Sequence, residues 1–241
     1  MATRRPAFTM LELVISLAAG GVLLCILLPA MVSARVSSQR ELCSGNQRLI
    51  GQAWEAYLKS HDGRFPTIYV QPAWRYAGVR YSSVDGTAFL DYDRPLNNYL
   101  PAYRSQVNPE QLFECPADRG ITDERGEAGT GRRTALEAFG TSFRANTRLL
   151  LPRGDRPQPP LDRAQITTAP SRLVVMGDPV WFETLESTGR LAAWHGTPNT
   201  GNLLFLDGSV RFVTIKPRPA VGPAVFDPLS LELTFPLKKG R

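Results

Sequence analysis

The sequence predicts an α+β chain: one long N-terminal helix, partly membrane-spanning, packed on a small antiparallel sheet inside a loop-rich domain. Three observations carry this reading. Residues 13–32 hold no charged side chain, a run long enough to cross a bilayer as one helix. Apolar residues then continue at helical spacing to about residue 60. Near the other end, two apolar runs flank Asp207-Gly208, a strong short-range signal for a β-hairpin over about 202–215. The 241 residues suffice for a membrane helix plus one domain of ordinary size, and the 20 Pro and 20 Gly argue for turns rather than a helical bundle.

The helix opens at Phe8-Thr9-Met10-Leu11-Glu12-Leu13. Arg4 and Arg5 stand just ahead, in a short basic leader that ends at Ala7. Glu12 puts a carboxylate at the edge of a run built for hydrocarbon, where a charge is costly and by default functional. Basic leader, Ala7-Phe8 junction, Glu12 and apolar run together resemble the N-termini of type IV prepilins and type II secretion pseudopilins. With Phe8 as the first mature residue, Glu12 falls at the family's fifth position; Ala7 stands where the family usually has Gly.

The resemblance implies a leader at 1–7, a long helix at 8–62 with 8–32 in the membrane, and a globular domain at 63–241 in a pilin-like fold. It implies cleavage between Ala7 and Phe8 by a prepilin peptidase, N-methylation of Phe8, and a role in assembly for Glu12, paired with the freed amine of its own or a neighbouring subunit. The location implied is the inner membrane, single-pass, with the N-terminus cytoplasmic and the domain periplasmic. The implied partners are other pilin or pseudopilin subunits and the inner-membrane assembly machinery, in a structural and non-enzymatic role. A rival reading takes the run as an ordinary secretory signal cut after Val32-Ser33-Ala34, which would make the protein a soluble secreted binding protein. Glu12 and the length of the run stand against it. A second alternative is a membrane-anchored enzyme or ion-binding domain.

Pro29 falls near the end of the apolar run and should kink the helix rather than end it. Beyond it, Val36, Cys43, Leu49, Ile50, Ala53 and Tyr57 form a stripe to cover a domain, while Arg40, Glu41, Gln47, Arg48, Gln52 and Lys59 fill the other face. The stop is His61-Asp62-Gly63-Arg64-Phe65-Pro66, with Gly63 suited to the left-handed conformation and Pro66 unable to continue a helix. A helix over 8–60 would be roughly 80 Å long.

Residues 67–135 read as loops with short elements, including a single helical turn at 94–100 begun by Pro95. Strand patterns occur at 141–146, 173–176 and 229–235, besides the hairpin. The stretch from Asn46 to Pro66, the Cys115-Pro116-Ala117-Asp118 element, and His195 followed by Asp207-Gly208 resemble a large pilin-like subfamily abundant in planctomycetes and verrucomicrobia. That subfamily carries a His-to-Asp-Gly element near its C-terminus; here the spacing is longer by two residues.

Three cysteines are present. Cys25 lies in the apolar run as a small hydrophobe, leaving Cys43 and Cys115 as a candidate disulfide that joins helix to domain in an oxidising compartment. His195 and His61 are the only histidines, and no Ser stands in a nucleophile elbow, so His195 reads as a structural residue near a turn. No Cys/His spacing spells a zinc site. The pseudopilin resemblance also implies that a calcium ion could sit in a C-terminal loop, with Asp178, Asp207 and Asp227 as candidate ligands by residue type. Trp54, Trp74, Trp181 and Trp194 read as core or interface anchors. The net charge of +6 comes from basic residues scattered among acidic ones without interleaved aromatics, which argues against nucleic acid.

Overall fold

A computed structural model describes residues 9–83, 86–100, 108–120, 134–150, 159–179, 194–197 and 200–214. The Ala7-Phe8 junction, Trp181, Asp227 and the candidate strand at 229–235 lie outside them. The chain divides into two compact units, Met1–Ser38 and Gln39–Arg241.

The described part of the first unit is helical. Helix α1 runs Met10–Ser60, so its 51 residues serve both units, and Pro29 sits inside it without ending it. Thr9 starts it with a reciprocal cap: Glu12 N–H donates to Thr9 Oγ1 at 3.2 Å, and Thr9 N–H donates to Glu12 Oε2 at 2.9 Å. Each side chain thereby satisfies an N–H that the helix leaves without an intrahelical partner. From Thr9 to Ser38 only Gly20 and Val36 are even half-buried. The helix is long and apolar enough to cross a membrane, with a mean hydropathy of 2.5 in its richest window.

In the second unit α1 buries a stripe of Cys43, Ser44, Gln47, Ile50, Ala53, Trp54, Tyr57 and Leu58. Their three- and four-residue steps keep them on one face. Gln47 belongs to this stripe, not to the polar face, because it lies one turn after Cys43 and its amide finds buried acceptors. The helix ends with Asp62 and Gly63 both at positive φ, 52° and 78°, and with Gly63 N–H donating to Leu58 C=O at 2.8 Å. This is a Schellman stop in which Asp62, one residue earlier than expected, takes the first left-handed position.

Strands β1 (Val79–Tyr81) and β2 (Ala88–Leu90) form a two-stranded antiparallel ladder. A 3-10 turn at Pro95–Tyr99 follows, with Pro at its start, then short helices α2 (Pro109–Phe113) and α3 (Ala135–Phe139). The main sheet is antiparallel in the order β3 (Arg144–Ala145), β4 (Val174–Gly177), β5 (Thr200–Phe205), β6 (Val210–Thr214), and a helical turn α4 (Thr147–Leu150) follows β3. Every residue of β5 is buried, while in β6 only Val210 and Val213 are half-buried and the others are exposed. Helix α1 packs closely on β5: a Cβ added to Gly51 would stand 2.9 Å from Leu204 Cδ1.

The β5–β6 turn differs in detail from the expected Asp-Gly hairpin. Gly208 N–H donates to Phe205 C=O, Phe205 N–H donates to Ser209 C=O, and Gly208 alone takes positive φ, 81°. That is a type I turn followed by a left-handed glycine. Asp207 keeps ordinary φ and accepts from Ser209 N–H and Oγ at 2.9 and 2.6 Å.

Arg94 is the polar hub of the remaining domain. All five of its N–H groups are used: Nε on Asp91 Oδ2, Nη1 on Trp74 and Ala77 carbonyls, Nη2 on Val79 and Phe139 carbonyls. It ties β1, the approach to the 3-10 turn and the end of α3 into one body. The core around it includes Trp74 stacked on Phe139 at 4.4 Å and Trp54 stacked on Tyr76 at 5.7 Å.

Candidate functional site

Four chemically capable side chains meet where α1, the segment after α2, the end of β4 and the turn at 194–197 converge. Cys43 comes from α1 and Cys115 from just beyond α2, where Asn46 Nδ2 on α1 holds the backbone by donating to Gln111 and Glu114 carbonyls. Asp178 directly follows β4, and its N–H donates to Asn202 C=O on β5 at 2.9 Å. Gly177 permits that approach, since a Cβ there would stand 2.6 Å from the same carbonyl oxygen. His195 is fixed by its neighbour Trp194, whose indole N–H donates to Gly120 C=O at 3.1 Å, and by the edge of Phe212 against its ring.

Cys43 and Cys115 are joined as a disulfide, with Cα atoms 4.9 Å apart. His195 Nε2 lies 2.9 Å from Asp178 Oδ2 and 3.8 Å from Cys115 Sγ. The Asp178 carboxylate also accepts from Asn202 N–H at 2.7 Å and from Gln47 Nε2 at 2.9 Å. The His195 and Asp178 side chains are 0% and 1% exposed. Two buried atoms at this centre, His195 Nδ1 and Gln47 Oε1, have no hydrogen-bond partner among the described residues. A carboxylate–imidazole pair sealed beside a disulfide can exchange a proton internally, and it offers both oxygen and nitrogen to a cation.

The sequence elements are thus regrouped. His195 meets Asp178, not Asp207, which is spent on its own turn. The ligand types Cys43, Cys115, Asp178 and His195 all lie within 4.8 Å of one another, a set that sequence spacing did not reveal. Asp118 of the Cys115-Pro116-Ala117-Asp118 element accepts from Gly120, Ala135 and Leu136 N–H and from Ser142 Oγ, fastening the start of α3. Burial pushes its carboxyl above the usual range, against the pull of the Ser142 hydroxyl and those N–H groups. Trp54, Trp74 and Trp194 are buried, as anchors should be.

No family model, curated protein or solved structure matches this chain.

At the head of α1, Glu12 is engaged by Thr9 through both backbone and side chain. The Thr9-Met10-Leu11-Glu12 spacing is the capping-box signature and gives Glu12 a partner within its own helix.

Proposed function

We propose that the chain is a subunit of a type IV pilus-like or type II secretion pseudopilus filament, cut between Ala7 and Phe8 and assembled through the apolar half of α1. One observation supports this most: from Met10 to Val32 the helix exposes Leu11, Leu13, Val14, Ile15, Leu17, Leu23, Ile26 and further large apolar side chains, with Glu12 as its only charge. A surface of that kind needs lipid before assembly and neighbouring helices after it. In the filament Glu12 pairs with the Phe8 amine of an adjoining subunit, which lowers the cost of a carboxylate in a low-dielectric bundle and sets axial register.

The cap seen on Glu12 allows the test to separate two roles. Glu12→Gln keeps a capping side chain but removes the charge, whereas Glu12→Ala removes both. Both variants should be cleaved and inserted, and both should fail to assemble, as read by pelleted filaments from the native membrane. Normal assembly of Glu12→Gln would leave only the capping role. N-terminal sequencing of the native protein should start at Phe8; a mature chain that starts at Arg35 overturns the filament reading in favour of a secreted protein.

A further inference from the structure

The disulfide centre holds more chemistry than a cross-link requires. A disulfide does not need a buried imidazole 3.8 Å from one of its sulfurs, nor a carboxylate bound to that imidazole. Two atoms in this centre are also left without partners, an arrangement that a purely structural core normally avoids. We propose that, once reduced, Cys43, Cys115, Asp178 and His195 form a four-ligand site for Zn²⁺.

The chemistry balances. Two equivalents of a small thiol, or one dithiol, reduce the Cys43–Cys115 bond; the reductant is oxidised to its own disulfide and its two protons pass to the two cysteine sulfurs. An incoming Zn²⁺ displaces those two protons and takes both thiolates. Asp178 supplies one carboxylate oxygen. His195 supplies Nε2. Among the described residues no hydrogen bond to Nδ1 locks the ring tautomer, so Nε2 is free to face the ion with the proton on Nδ1.

The donor set suits zinc in particular. Two thiolates, one imidazole and one carboxylate oxygen make a closed tetrahedral set of the structural kind, whereas calcium and magnesium want oxygen alone. The four ligand atoms lie within 4.8 Å of one another, so one ion can reach all of them with small side-chain movements. The second row is also in place: Gln47 Nε2 and Asn202 N–H orient Asp178, and Phe212 abuts the His195 ring. The bound set would carry one net negative charge. Arg40 stands with its guanidinium 4.8 Å from the centre of the Phe212 ring, which also contacts the His195 ring. The same four residues would therefore hold α1 to the domain by a covalent bond when oxidised and by a metal ion when reduced.

The test uses the full chain in detergent micelles, reduced with a phosphine under anaerobic conditions and titrated with Co²⁺, then Zn²⁺. Reduced chain should bind one Co²⁺ per chain, with thiolate charge-transfer and tetrahedral d–d bands that Zn²⁺ abolishes. The oxidised chain should show neither. Asp178→Asn and His195→Ala should each weaken Co²⁺ binding at least tenfold and change the d–d envelope. Equal binding in both variants and the parent would mean an ordinary dithiol and overturn the proposal. So would a reduced chain that loses its near-ultraviolet circular dichroism and does not recover it with Zn²⁺.

Discussion

Two buried polar centres of the domain are built on opposite terms. At Arg94 every donor has an acceptor: five N–H groups meet four carbonyls and Asp91, while Asn97 completes the surround by donating to Gly78 and Asp91 carbonyls and accepting from Gly78 N–H. Around the Asp178–His195 pair, two buried atoms, His195 Nδ1 and Gln47 Oε1, have no hydrogen-bond partner among the described residues. Satisfied networks fix a unique packing, and partly satisfied ones store the capacity to bind or react. The difference teaches where to look for function in this domain. The fully satisfied hub at Arg94 is architecture; the pair beside the disulfide is where the proposed metal chemistry would lie.

The comparison breaks most visibly at its satisfied end. Arg94→Ala should cost more than any other single change considered, because it strands the Asp91 carboxylate, 3% exposed, and four backbone carbonyls. Removing one partner of a buried ion pair alone costs about 3–5 kcal/mol. Arg94→Lys should rescue little, since an ammonium offers three donors on one point and not five in a planar fork. A chemical denaturation series on the chain in micelles should show loss of the cooperative transition for Ala and a transition at much lower denaturant for Lys. Near-parental stability in either would mean that the hub is not the architectural element.

Next in size is the disulfide. Its cysteines are 72 positions apart in sequence, so the cross-link removes a large loop entropy from the unfolded chain. In the chain-entropy account, Cys43→Ala with Cys115→Ala should cost about 4 kcal/mol. The same double variant should lose all Co²⁺ bands under reducing conditions, which links the stability of the second centre to its proposed metal chemistry. A cost close to zero would show that the packing of Asn46 on the carbonyls of Gln111 and Glu114 already holds this junction.

How much of this could be read in advance follows from sequence distance. The helix, its Asp62-Gly63 stop and the hairpin at Asp207-Gly208 are local patterns, and local patterns are visible in the order of residues. The candidate pairing of Cys43 with Cys115 came from cysteine arithmetic, because only Cys25 lay in the apolar run. The Arg94 hub was not legible: its acceptors are backbone carbonyls, which every residue has, so no side-chain spelling announces them. The four-ligand cluster escaped for another reason. Asp178 and Cys115 lie 17 and 80 positions from His195, and the β4–β5 pairing together with the segment after α2 packed on α1 brings them to one place. Gln47 is polar and so reads as solvent-facing, yet its position one turn after Cys43 turns it inward, and the Thr9-to-Glu12 spacing spells a capping box that a reading of Glu12 by charge alone leaves unused.

The smallest effect belongs to Gln47, and it is the sharpest test of the contrast. Its Nε2 donates to Asp178 Oδ1 at 2.9 Å and to Asn202 C=O at 3.3 Å, while its Oε1 is buried without a donor. Gln47→Leu removes a charge-assisted hydrogen bond worth about 1.5–3 kcal/mol, and removes an unsatisfied acceptor whose burial costs about 1–3 kcal/mol. Leu is of similar volume, and Gln47 lies on a stripe with Cys43, Ile50 and Trp54 where an apolar side chain adds favourable burial. The terms nearly cancel, so the variant should unfold within about 1 kcal/mol of the parent, in either direction. Asp178 would keep Asn202 N–H and His195 as partners, yet lose the amide that steers Oδ1. Co²⁺ binding by the reduced chain should therefore fall roughly tenfold or more while stability barely moves, as expected for a residue that orients a metal ligand. A loss of several kcal/mol on Gln47→Leu would place this centre with Arg94 among the architectural ones, and the contrast between the two would disappear.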